Sequence, residues 1–202
     1  MDAVIYVHGK GGSASECERY KPLFPGYEVT GPDYRSAVPW EAGKEIHTAV
    51  RELKARADGV VLVANSIGAF FCLHADLSGL IRRAYFISPL VDMERMIADM
   101  MRWANVTETE LRKKGTISTD FGETLSWEYL DFVRRRPIEW SVPTQILYAG
   151  GDELIPAETV RAFAEKHHAG LTVMEGGEHW FHTEEQLRFL DGWIRRNEER
   201  YG

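Results

Sequence analysis

"LVANSIGAFF", residues 62–71, is the stretch on which the reading of this chain turns. Val60 to Val63 form a short apolar run of the kind that makes a strand buried on both faces. After Ser66, the apolar residues Ala69, Phe70, Leu73 and Leu77 return at helical spacing. The segment therefore reads as strand, sharp turn, helix, with Ser66 at the turn. Ala64 and Gly68 flank the serine two positions away on either side. A tight strand-to-helix turn requires small residues there, because larger side chains would strike the neighbouring backbone.

The same alternation continues outward in both directions. Val4–Val7, Tyr27–Thr30, Ala84–Ile87, Thr144–Tyr148 and Leu171–Met174 read as further strands. Ser13–Leu23, Val38–Ala57, Pro156–His167 and Glu184–Arg196 read as helices, the second with Pro39 in its first turn. Six strands joined by helices imply an α/β fold whose mostly parallel sheet is covered on both faces, a three-layer α/β/α sandwich. One segment breaks the rhythm. Pro89 to Val142 is far longer than an ordinary crossover and reads as two or three helices.

Composition bounds the function. The 202 residues are 44% hydrophobic and 27% charged, which fits one soluble domain with a sizeable core. No apolar run approaches the roughly 18 residues that span a bilayer. The net charge of -7 without a basic patch argues against nucleic acid as a partner. The N-terminus enters a strand almost at once and shows no secretory leader. Cys17 and Cys72 form no metal or redox spacing and suit a reducing compartment. The expected location is cytoplasmic.

Ligands of such sheets bind at the carboxyl ends of the strands. Three of those ends carry reactive side chains: Ser66, Asp152 in "LYAGGDELIP" and His179 in "VMEGGEHWF". His179 competes with His182, three residues on, and Asp152 competes with Asp92, which follows the strand end at Ser88-Pro89. His47, His74, His167 and His168 lie on helix-like stretches and form no ligand set, so neither a metal site nor a cofactor is expected.

Taken together, Tyr6-Val7-His8-Gly9, Ala64-Asn65-Ser66-Ile67-Gly68, Gly151-Asp152 and Gly177-Glu178-His179 resemble the motifs of the α/β-hydrolase superfamily. The resemblance covers nearly the whole chain, and four motifs in the right order are far more specific than any one. Two departures are visible: Ala64 stands where glycine is commonest, and the chain begins at what would be the family's third strand. The resemblance thus implies a minimal member with six strands in the order 2-1-3-4-5-6. It would be a single domain over 1–202 with a helical cap insertion at about 89–142.

For chemistry, the resemblance implies a nucleophile Ser66, a base His179 and an orienting acid Asp152. It further implies an oxyanion hole from the backbone N–H groups of Ile67 and Lys10. Gly9, Gly11 and Gly12 would let that loop approach a substrate closely, and His8 would support it from behind. In the insertion, Met93, Met96, Ile97, Met100 and Met101 recur at helical spacing, followed by Trp103, and a second helix near Leu125–Arg136 presents Leu125, Tyr129, Phe132 and Val133. These stripes read either as core packing or as an apolar substrate pocket contributed by Met93, Met96, Met100 and Trp103. The expected function is a serine carboxylesterase acting on a small-molecule ester with an apolar acyl or aromatic group. Thioester or amide cleavage on the same residues is the runner-up. A binding module that has lost turnover is the reading from another class, and its sign, a missing member of the three, is not seen.

Overall fold

The computed structural model describes residues 1–201. The chain divides into two compact units, one formed by Met1–Val91 with Trp140 onward and the other by Asp92–Glu139.

The first unit holds six parallel strands: β1 (Ala3–Val7), β2 (Glu28–Thr30), β3 (Val60–Asn65), β4 (Arg83–Ile87), β7 (Thr144–Ala149) and β8 (Gly170–Met174). Their order across the sheet is β2-β1-β3-β4-β7-β8, and every pairing is parallel. With the two short strands of the second unit, β5 (Thr116–Ser118) and β6 (Thr124–Ser126), set aside, this is the expected order. β1 and β4 are buried along their whole length, and β3 up to Asn65, as strands clad on both faces must be. The edge strands β2 and β8 are only half-buried for most of theirs.

Alternate side chains point to opposite faces. Val4, Tyr6, Val61, Val63, Tyr85, Ile87, Leu147 and Ala149 pack into one cluster. Cys17, Tyr20 and Leu23 join it from a 3-10 helix (Ala14–Leu23), and Leu190, Trp193 and Ile194 from α7 (Glu184–Glu198). Three further helices accompany the sheet: α1 (Pro39–Lys54), α2 (Ile67–Leu73) and α6 (Ala157–Lys166). α1 buries Ile46, Val50 and Leu53, the stripe that its sequence spacing shows. Its Pro39 occupies the first turn, where a missing N–H costs nothing.

Two helix readings change in detail. The Ser13–Leu23 segment forms a 3-10 helix, with Pro22 inside it. α2 ends at Leu73, before Leu77, which is nevertheless buried at 1% exposure. An apolar residue at helical spacing has here been buried without extending the helix.

The second unit contains α3 (Met93–Trp103), α4 (Glu108–Lys114), β5 (Thr116–Ser118), β6 (Thr124–Ser126) and α5 (Trp127–Arg135). The antiparallel hairpin β5–β6 was not anticipated, and it takes Leu125 out of the expected second helix. Its strands are three residues each and mostly Thr and Ser, too short and too polar to show a period. α3 buries Met93, Ile97 and Met101, while Met96 and Met100 are half-buried and Trp103 is exposed, edge-on to Phe121.

Candidate active site

Parallel strands deliver their following loops to one edge of the sheet, and β1, β3, β7 and β8 all contribute there. Ser66 comes directly after β3. Its backbone has φ 51° and ψ -122°, a conformation that non-glycine residues rarely adopt and that costs of the order of 1–3 kcal/mol. The surroundings hold it there: Ser66 N–H donates to Ile87 O at 3.0 Å, and Ser66 O accepts from Leu90 N–H at 3.1 Å. Strain of this kind pushes the side chain out of the turn, away from the sheet and helix it joins.

The side chain of Ser66 meets His179. Oγ lies 2.9 Å from His179 Nε2. The other ring nitrogen, Nδ1, lies 2.6 Å from Asp152 Oδ2. A carboxylate only accepts, so the neutral ring carries its proton on Nδ1 and presents Nε2 to the serine hydroxyl. Asp152 is fixed in turn, since its Oδ1 accepts from Leu154 N–H at 2.8 Å and Ile155 N–H at 2.9 Å. Its side chain is fully shielded from solvent. The loops that carry the two residues are laced together: Gly150 N–H donates to Met174 O, and Gly151 N–H to Gly177 O, both at 2.8 Å.

A pocket of about 390 Å³ opens over Ser66 and His179. Its walls are Gly9, Lys10, Gly11 and Gly12 from the loop after β1, with Glu16, Asn65, Leu154 and Trp180. The turn at Gly9–Gly12 is closed by Gly12 N–H donating to Gly9 O at 3.1 Å. Ile67, the first residue of α2, has its N–H at the helix N-terminus, where backbone donors lack intrahelical partners. The expected loop and helix end therefore both border on the serine.

The structure sorts the rival residues. Both His179 ring nitrogens are engaged, by Asp152 and Ser66, and Asp92 is occupied elsewhere as the N-cap of α3, accepting from Arg95 N–H at 2.9 Å. His182 stacks on the Trp180 ring, with centroids 4.6 Å apart and planes 19° apart. His8 is buried, its Nδ1 2.9 Å from Gly9 O and its ring stacked on Tyr34, whose hydroxyl donates to His8 O at 2.6 Å. This places it behind the glycine loop. His47 and His167 bond to the carbonyls of Ala75 and Trp140. Among the described residues, no cluster of three His, Cys, Asp or Glu is arranged to hold a metal ion. Cys17 and Cys72 are free and buried, and burial pushes both thiols up. No helix among the described residues is long and apolar enough to cross a membrane.

Met93, Met96, Met100 and Trp103 belong to the second unit. Four pocket residues escaped the sequence reading: Glu16, Asn65, Leu154 and Trp180. Asn65 and Trp180 are immediate neighbours of Ser66 and His179, and that adjacency was the available signal.

A strained serine bonded to a histidine that is bonded to a buried carboxylate, beside a glycine loop, is what the family's motifs imply. The profile of the alpha/beta hydrolase family matches residues 4–191. The chain belongs to the α/β-hydrolase family. Among solved structures, Est1E from Butyrivibrio proteoclasticus has TM-score 0.75 at 16% identity, covering 98% of this chain and 87% of that one. Est1E has also been solved with ferulic acid bound. The mouse alpha/beta hydrolase domain-containing protein 10 has TM-score 0.77 at 15% identity, covering 99% and 90%. A marine microorganism esterase has TM-score 0.59 at 11% identity, covering 98% and 94%. At these identities the likeness is one of fold. No curated protein matches the chain in sequence.

Proposed function

We propose that this α/β hydrolase is a serine carboxylesterase that works through an acyl-enzyme, with Ser66, His179 and Asp152 as its triad. The observation that carries the reading is the unbroken hydrogen-bonded row, 2.9 Å from Ser66 Oγ to His179 Nε2 and 2.6 Å from His179 Nδ1 to Asp152 Oδ2. A serine hydroxyl is a weak nucleophile until a positioned base takes its proton.

As Ser66 Oγ attacks the ester carbonyl, its proton passes to Nε2, and Asp152 stabilises the imidazolium. The carbonyl oxygen becomes an oxyanion beside the backbone N–H groups of Ile67 and Lys10. Collapse breaks the bond to the alkoxide, which leaves with the proton from Nε2. Water then enters, gives its proton to Nε2 and attacks the acyl-enzyme, releasing the acid and restoring Ser66. An ester asks least of this machinery, because an alkoxide is a better leaving group than an amide nitrogen. The marine microorganism esterase among the fold neighbours supports the same direction. On the sequence pattern alone, the methionine stripe of α3, with Trp103, is assigned to the apolar part of the substrate.

The test is labelling with a fluorophosphonate probe beside hydrolysis of p-nitrophenyl esters. Wild type should label and turn over. Ser66→Ala should lose the label and nearly all turnover, by a factor on the order of 10⁴ to 10⁶, with an unchanged fold. A fluorophosphonate adduct elsewhere, or none, would refute the assignment.

A further inference from the structure

The pocket over Ser66 is chemically two-sided. Its polar lining is Lys10, Glu16 and Asn65, and its large apolar lining is Leu154 and Trp180, which come from the loops that carry Asp152 and His179. Trp180 and Leu154 are among the few large apolar side chains left exposed, at 69% and 43%. Each is tied by the chain to a member of the hydrogen-bonded row: Trp180 directly follows His179, and Leu154 donates its N–H to Asp152.

The indole is also held in place. One face stacks on the His182 ring, and His182 is fastened by Nδ1, 2.7 Å from Trp180 O, and lies 3.5 Å from the Glu178 carboxylate. With one face against His182 and the residue still 69% exposed, the indole keeps open surface for a ligand. A flat apolar surface that is already oriented loses little freedom when it takes up an aromatic or aliphatic group.

We propose that Trp180, braced by His182 and flanked by Leu154, is the platform for the alcohol half of the substrate, and that the enzyme therefore prefers esters of aromatic or bulky apolar alcohols. This rests on the serine esterase reading above. The side follows from proton transfer. His179 Nε2 must reach the leaving oxygen, so the alcohol departs on the side of the carbonyl nearest His179. The neighbour of His179 that lines the pocket is Trp180. The oxyanion is assigned to the separate glycine loop after β1, so the acyl half does not depend on Trp180 in this proposal.

Benzyl acetate and methyl acetate test this with acyl group and leaving-group chemistry held nearly constant, and methyl hexanoate extends the acyl side instead. Trp180→Ala should lower the benzyl-to-methyl ratio of kcat/KM by about fivefold or more, as loss of an aromatic contact with its buried area predicts. The hexanoate-to-acetate ratio should stay as in wild type. Trp180→Phe should restore much of the benzyl preference, and His182→Ala should erode it by freeing the indole. A benzyl-to-methyl ratio unmoved by Trp180→Ala overturns the proposal. So does a fall in the hexanoate ratio as large as in the benzyl ratio, or an equal fall for all three esters with a lowered Tm. Fluorophosphonate labelling of wild type separates the two layers. If Ser66 does not label, the esterase reading fails and takes this proposal with it. If Ser66 labels but none of the three esters is cleaved, the platform is overturned while the activated serine stands.

Discussion

A Cβ placed on Gly68 would sit 2.3 Å from the carbonyl oxygen of His8 and 2.8 Å from that of Val7. The first turn of α2 and the end of β1 thus touch backbone to backbone. That contact keeps the glycine loop after β1 beside the serine before α2.

Gly68→Ala has no soft neighbour to displace, since both obstacles are main chain. The substitution should force α2 away from β1 and cost about 1–3 kcal/mol. In a chain of this size each kcal/mol lowers Tm by roughly 2–4 °C. Because the Ile67 N–H at the start of α2 and the Lys10 N–H of the loop would move relative to one another, kcat should fall on the order of 100-fold. A Gly68→Ala variant with wild-type kcat would mean that the contact does not set the site.

Asp152 and Asp92 should separate cleanly by substitution. Asp152→Asn keeps the volume but gives His179 Nδ1 an amide in place of an acceptor-only carboxylate, which favours the wrong tautomer. Turnover should drop by about 10⁴ with little change in stability. Asp92→Ala removes the N-cap of α3 and should cost about 0.5–2 kcal/mol in stability, with acetate ester turnover kept within a few-fold. The reverse pattern would transfer the acid role to Asp92.

The two thiols offer a check on the nucleophile. Cys17 is 7% exposed and Cys72 is fully buried, and desolvation raises both thiols above their ordinary range, against the thiolate. A raised thiol stays protonated at neutral pH and becomes reactive only as pH rises or the chain unfolds. Iodoacetamide should therefore leave ester turnover intact in the folded protein, and both thiols should react once denaturant is added. Rapid inactivation that tracks alkylation of Cys17 or Cys72 at neutral pH would contradict the burial that keeps both thiols protonated.

The apolar runs at Val4–Val7 and Val60–Val63 were legible because strands covered on both faces have nowhere to put a polar residue. Ser66, Asp152 and His179 stood out as candidates because each lies within five residues of the carboxyl end of a strand, and the hydrogen bonds join the three. The β5–β6 hairpin lacked that signal, its strands being three residues each with one apolar residue, Ile117 or Leu125, between Thr and Ser. The α3 stripe showed which residues share a helical face, and the structure divides it further: Met93, Ile97 and Met101 are buried, Met96 and Met100 only half so. Glu16 lines the pocket through tertiary placement, which no local period encodes.

Glu16 brings the last expectation. Its Oε2 accepts from Tyr6 OH at 2.6 Å and its Oε1 from Ser13 N–H at 3.0 Å. The carboxylate lies close beside Gly12, where a Cβ would come within 2.5 Å of Oε1. One side chain therefore ties β1 to the end of the turn that carries Lys10. Glu16 itself is exposed, so its removal should not unfold the chain. Glu16→Ala would release the Ser13 N–H and let the Gly9–Gly12 turn drift. The damage should fall on the oxyanion, which exists only after attack, so kcat should drop about 10- to 100-fold while KM changes little. A boronic acid inhibitor, which forms a tetrahedral adduct on Ser66, should bind correspondingly more weakly. Glu16→Gln keeps an oxygen acceptor for one of the two donors and should recover part of the loss. If Glu16→Ala instead lowered Tm while kcat and boronate affinity stayed as in wild type, the carboxylate would be a fastening of the fold with no part in positioning the loop.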